Sequence, residues 1–208
     1  MEGLKLLFSH KYLISMFAVN LFLEVIVTIF DFNFKLEASK VYSGVELTQY
    51  FSRYSTIVNL VTFVFLLLGI NKINKYMGLT VSLAAVPILL GLALAGFFTI
   101  HSLTFLFWLM VCSKAINYSI NGPSLKQLYI PTSEDAKSKA QAWIETFGSR
   151  FSKMSGSGLN AIPKAIGESA SKLLSGSICF SFIVIWFLLA LYLGKTHKKA
   201  VDSNTNVC

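Results

Sequence analysis

Long apolar blocks alternate with short polar stretches along the 208 residues, and each block approaches the roughly 20 residues that cross a hydrocarbon core. Blocks of that length predict spanning helices rather than strands. Read in order they fall near residues 12–32, 53–71, 79–98, 103–120, 138–162 and 177–194. The third contains Pro87, Gly91 and Gly96, which a helix inside a bundle tolerates because its neighbours satisfy the freed backbone groups. After the fourth, Asn121 to Lys137 reads as a polar loop, with Pro123 and Pro131 expected to interrupt any helix. The expectation is an all-α membrane protein of about six spanning helices in a single transmembrane domain covering 1–208.

The block at 138–162 differs from the rest because its polarity is organised. At helical spacing Lys139, Trp143, Thr146, Arg150, Lys153, Ser157, Asn160 and Lys164 make a basic and polar stripe. Ala140, Ile144, Phe147, Phe151, Met154 and Gly158 make an apolar one. A third line, Gly148, Ser152 and Gly156, repeats small residues every fourth position, the pattern that lets two helices approach closely in a membrane. Two arrangements fit: a spanning helix whose cations line a water-filled pathway, or an amphipathic helix lying on an anionic leaflet. The small-residue line favours the first, since a surface helix needs no close partner.

Composition agrees with the pattern: 54% of residues are hydrophobic and 13% charged, against roughly 25% charged in a soluble domain. Net charge is +8, but the cations sit mainly between blocks and in the one polar segment, which points to membrane orientation and anionic cargo rather than nucleic acid. With six spans, the basic residues around Lys72, Lys75, Lys114 to Lys139 and the C-terminal tail fall on one side, and the positive-inside rule places both termini in the cytoplasm. The first apolar run is too long for a signal-peptide core and lacks a small-x-small cleavage site. Cys112, Cys179 and Cys208 are far apart and share no ligand spacing with His10, His101 or His197, so neither a disulfide framework nor a metal site is expected. No cofactor motif, nucleophile elbow, P-loop or HExxH is present, and the chain reads as a non-enzyme.

Charged residues within the apolar blocks are the candidates for function. Glu24 lies near the middle of the first block, where an unpaired carboxylate is costly; it reads either as a gating or substrate contact or as a structural ion pair. Asp31 and Lys35, four apart, read as an intrahelical pair at a helix end. Arg150 and Lys153 share a face three residues apart and repel each other unless an anion lies beside them, either a phosphorylated substrate or a carboxylate such as Glu24 or Glu145.

The run Asn117-Tyr118-Ser119-Ile120-Asn121-Gly122-Pro123-Ser124-Leu125-Lys126-Gln127-Leu128-Tyr129-Ile130-Pro131, the acidic turn Glu134-Asp135 and then Lys137-Ser138-Lys139-Ala140 resemble the second half of the ADP/ATP translocases of obligate intracellular bacteria and plastids. Trp143 to Gly158 resembles the next motif of that family, a Gly-Lys-x-Gly-Gly type of segment, and Phe30-Asp31-Phe32-Asn33-Phe34-Lys35 resembles the end of an earlier helix. Gln127 departs from the family pattern, which has a glutamate there. The resemblance implies one six-helix half of a major-facilitator-like carrier and exchange of ATP for ADP by alternating access in a bacterial inner membrane. It implies that Lys126 and Lys153 help bind the phosphates; the polar stripe read independently adds Arg150, Lys139 and Asn160 as substrate-binding candidates. Glu24, Asp31, Lys35 and Glu145 are the candidates for gating or ion pairing. A half carrier calls for a second half, supplied separately or by a homodimer. Carriage of another anionic metabolite, or a non-transporting membrane subunit, are the alternatives.

Overall fold

The computed structural model describes residues 2–67, 78–100, 102–161 and 168–207. Seven helical stretches follow one another in these residues: α1 (Glu2–Ser9), α2 (Lys11–Val41), α3 (Gly44–Leu67), α4 (Leu79–Thr99), α5 (Leu103–Gln127), α6 (134–161) and α7 (Glu168–Asp202). No strand occurs among the described residues. Five of the helices, α2, α3, α4, α5 and α7, are long and apolar enough to cross a membrane by length and composition. The predicted blocks thus reappear as helices, most of them longer than the apolar run that announced them. The expected basic turn at Lys72 and Lys75, the end of the second block and Lys164 lie outside the described residues.

α2 is the centre of the fold. It packs against α5, α6 and α7, and Leu13, Met16, Val19, Leu23, Val25, Ile26, Ile29, Phe30 and Phe34 are buried along it. A helix that is apolar over most of its circumference, with only a narrow polar line, takes the middle of the bundle. α4 packs along α7, closely enough that a Cβ on Gly194 would overlap Thr80. α3 sits at the edge against α5, joined to it and to α2 by a cluster of rings in which Tyr54 lies 5.0 Å from Phe34 and 5.6 Å from Phe107. The outer face of α3 exposes Leu60, Phe63, Val64 and Leu67, an uncovered apolar surface that suits a helix whose solvent is lipid.

Two expectations about α5 and α6 are corrected. The helix of α5 does not stop at Asn121 but runs through Pro123 to Gln127. It does so through a π-helical turn, Asn117–Asn121, which opens the backbone ladder just where Pro123 has no N–H to give. The chain then turns at 128–133, where the Tyr12 hydroxyl donates to the Leu128 carbonyl at 2.8 Å and the Val207 N–H donates to the Pro131 carbonyl at 2.9 Å. On α6, the apolar stripe is not one face: Ala140 and Ile144 are buried, but Phe147, Phe151 and Met154 are exposed. The buried line is instead Ala136, Ala140, Ile144, Gly148, Ser152 and Gly156, every fourth residue.

The reason is helical geometry. In an ordinary α-helix the fourth residue overshoots a full turn by about 40°, so a strict four-residue line spirals away. α6 contains two π-helical stretches, Ala136–Ala140 and Trp143–Gly148, before the regular turn of Ser149–Ala161. Their i→i+5 bonds rotate the chain less per residue and take the drift back. The small residues on this line meet α2 as predicted: a Cβ on Gly148 would lie 3.1 Å from the Phe17 ring, and one on Gly156 would lie 2.9 Å from the Cβ of Thr28. Ser152 between them is fully buried, its hydroxyl donating to the Gly148 carbonyl at 2.6 Å.

Replacing Gly156 with leucine should lower the thermal midpoint of the chain in detergent by an amount matching about 1–3 kcal/mol of overpacking. Gly158, whose Cβ would meet nothing within 4 Å, serves as the control: its alanine variant should melt no lower than the wild type, alanine being the better helix former.

Candidate functional site

The polar side chains that the sequence singled out gather along one side of α2. Glu24, Asp31 and Lys35 of α2, Lys153 and Ser157 of α6, and Lys114, Asn117 and Tyr118 of α5 line a cleft of about 450 Å³. Its position follows from the small-residue contact: α6 is held so close to α2 that its polar flank turns to the same opening as the charged positions of α2. Lower along α2, Asn20 shares a second cavity of about 150 Å³ with Lys126, Tyr129 and Glu145. From Asn20 to Lys35 the helix rises about 22 Å, so the two cavities succeed one another along it. At the level between them the Ser149 hydroxyl of α6 donates to the Glu24 carboxylate at 3.3 Å.

The cleft holds three cations and two carboxylates, and they are unevenly paired. The Lys114 ammonium meets the Asp31 carboxylate at 2.9 Å, with side chains only 20% and 27% exposed, and lies 5.5 Å from the centre of the Tyr54 ring. Asp31 is thus paired across helices and not with Lys35, as the four-residue spacing had led us to expect. Neither Lys35 nor Lys153 has an acid within ion-pair distance among the described residues. The alternative that Arg150 and Lys153 are neutralised by Glu24 or Glu145 is not what the structure holds: Glu24 accepts from Ser149, and Glu145 accepts from the Gln141 amide at 2.7 Å.

The other candidates are distributed as follows. Arg150 is exposed, one turn from Lys153 on α6, and lines neither cavity. Lys139 sits nearer the start of α6, paired with Asp135 at 3.2 Å and apart from the cleft. Lys126 is exposed at the end of α5, beside the second cavity. There burial first, and then the nearby Glu145 carboxylate, push the Tyr129 phenol above its ordinary range, so it is a neutral hydroxyl next to that lysine. Asn160 lies on α6, with its side chain outside the described residues. Sequence reasoning passed over Lys114, Asn117 and Tyr118 as site residues. Lys114 closes an apolar stretch 83 residues from its partner, and only folding brings the two together. No group of three or more His, Cys, Asp or Glu residues that could hold a metal occurs among the described residues.

Chemically, a cleft with two uncompensated ammonium groups, a third held by a carboxylate, and amide and phenol groups beside them is suited to a multiply charged anion. The chain is similar to proteins that handle such anions. Residues 103–197 match the family model described as TLC ATP/ADP transporter. Over 231 residues the chain is 23% identical to ADP,ATP carrier protein 1 of Rickettsia typhi, covering 99% of this chain and 46% of that protein. It is 23% identical over 229 residues to the protein of the same name from Rickettsia prowazekii, covering 98% of this chain and 46% of the relative. To ADP,ATP carrier protein 2 of Chlamydia pneumoniae it is 23% identical over 224 residues, or 95% of this chain and 41% of the relative. No solved structure matches it significantly. The chain spans about half the length of the curated relatives it matches. With five helices suited to crossing a membrane and this similarity along almost its whole length, it is a multi-pass membrane protein similar to the C-terminal half of ADP,ATP carrier proteins.

Proposed function

We propose that the protein carries nucleotides across a membrane, exchanging ATP for ADP by alternating access, as the C-terminal half of a carrier. The observation that carries this reading is the cleft between α2, α5 and α6, where Lys35 and Lys153 stand without acid partners among the described residues. Unpaired cations at membrane depth are costly in an empty site and become favourable when a polyphosphate occupies it. The names of the relatives, ADP,ATP carriers, support a nucleotide as that anion. In this reading Lys153 meets the phosphates in the cleft and Arg150, one turn away and outside its lining, meets them from the exposed flank of α6; Lys126 and Tyr129 receive them at the lower cavity, and the Glu24–Ser149 bond lies on the path between the two.

The same reading makes α6 the sixth membrane-spanning element. It is too polar to face lipid all round, and its contact with α2 supports a place inside the bundle. Both termini then lie in the cytoplasm, on the inner face of a bacterial plasma membrane, as the distribution of lysines favours. A second half covers the flank on which Phe147, Phe151 and Met154 stand exposed beside Arg150 and Lys153. That half is an N-terminal counterpart or, failing that, a second copy.

Liposomes containing the chain together with a candidate N-terminal half and loaded with ADP should take up labelled ATP; liposomes without internal ADP should not. Uptake that external ADP fails to compete would turn the assignment toward another anionic metabolite. Changing Arg150 and Lys153 together to alanine should reduce uptake by about tenfold or more, given what charged hydrogen bonds contribute. Unchanged uptake by that double variant would remove both residues from the phosphate site.

A further inference from the structure

We propose that Lys114 is a third phosphate-binding cation of the cleft and that Asp31 is its internal counter-ion, occupying the ammonium when the cleft is empty and yielding it to the anion. The inference deepens the proposed function and rests on that reading of the cleft as an anion site.

Four observations support it. Lys114 lines the same cleft as Lys35 and Lys153, so an anion held by these two lies within the reach of its side chain. Its only acid partner among the described residues is Asp31, at 2.9 Å, and that pair is partly exposed rather than sealed, with side chains 20% and 27% open. The pair therefore keeps a route to incoming ligand. Beneath it the Tyr54 ring holds the ammonium by its face at 5.5 Å, a contact that survives exchange of one anion for another. Finally, Asp31 and Lys114 belong to different helices, α2 and α5, whereas Lys153 belongs to α6. An anion that draws Lys114 from Asp31 toward Lys153 therefore replaces an α2–α5 link by one between α5 and α6.

The alternative is a purely structural ion pair. The two differ in what loss of the carboxylate does. A counter-ion competes with the ligand, so its removal tightens binding; a structural pair stabilises the site, so its removal loosens binding. Sodium tripolyphosphate, which carries the charges of a nucleotide without its base, is the probe, titrated calorimetrically against the full chain in lipid nanodiscs, with ATP in a parallel titration.

Asp31→Asn should bind tripolyphosphate about three- to tenfold more tightly than wild type, and Lys114→Gln about tenfold more weakly. In Lys114→Gln, adding Asp31→Asn should bring no further tightening, because the competition it relieves is gone. A thermal midpoint for each variant separates binding from folding. Should Asp31→Asn melt too low to titrate, infrared difference spectra replace it: tripolyphosphate should shift a carboxylate stretch in the wild type and leave it unmoved in Lys114→Gln. Weaker binding by Asp31→Asn, wild-type affinity in Lys114→Gln, or the same carboxylate shift in both chains would overturn the proposal. Absence of tripolyphosphate binding to the wild type would overturn it as well. If tripolyphosphate follows the expected order and ATP does not bind, the exchange of counter-ions stands and the nucleotide reading falls.

Discussion

The close approach of α2 and α6 at Gly148, Ser152 and Gly156 is the constraint on which the rest of the structure depends. In a membrane, helices do not gain by hiding apolar surface from water, so a polar helix stays in a bundle through packing and hydrogen bonds. α6 is the least apolar long segment of the chain, and it is held where it is by glycines that let its backbone lie against the Phe17 ring and Thr28 of α2, and by the Asn20 amide donating to the Ile144 carbonyl at 3.3 Å. A larger residue at any of these points would push α6 outward, and with it Lys153 and Ser157. The cleft exists because that contact closes one flank while α5 closes another.

Charge in the cleft follows from this placement. Three lysines and two carboxylates around about 450 Å³ are more charge than an apolar bundle gathers for stability alone, since exchanging buried ion pairs for apolar packing is often neutral or stabilising. The arrangement economises on desolvation. Asp31 and Lys114 neutralise each other across α2 and α5, Glu24 leans on a hydroxyl, and Lys35 and Lys153, both exposed, share their charge with no acid among the described residues. Charges in contact with the cleft's water are tolerable at a depth where buried ones would not be.

The sequence foretold some of this and not the rest, for identifiable reasons. Block length marked the spans, because twenty apolar residues have few other uses. The every-fourth line of Gly148, Ser152 and Gly156 marked a close helix contact, though not its partner α2, since small residues repeated at that interval serve close packing. The stripe through Phe147, Phe151 and Met154 was read as one apolar face with Ala140 and Ile144 on the assumption of an unbroken α-helix, which the π turns of α6 violate. Pro123 was read as a helix breaker for the same reason. Asp31 was given the nearest cation along its own helix, while the structure gives it one from α5: neighbours in sequence are visible in a string of letters, and neighbours in space 83 residues apart are not. The similarity to ADP,ATP carriers extends the reading of the lysines, but the pairing scheme that makes Lys35 and Lys153 distinct from Lys139 comes from the fold.

The wide turns of α5 and α6 have one more consequence. A π turn is a helix that has accommodated a residue too many, and the excess can be dropped without cutting the helix. Removing one residue from 143–148 would restore ordinary geometry there and, because six residues of π turn rotate about as far as five of α-helix, would leave Arg150 and Lys153 close to their present bearing. The direction in which these cations point is thus buffered against chain count upstream of them: a helix that can open or close a π turn gains or loses a single residue without re-aiming the side chains beyond it.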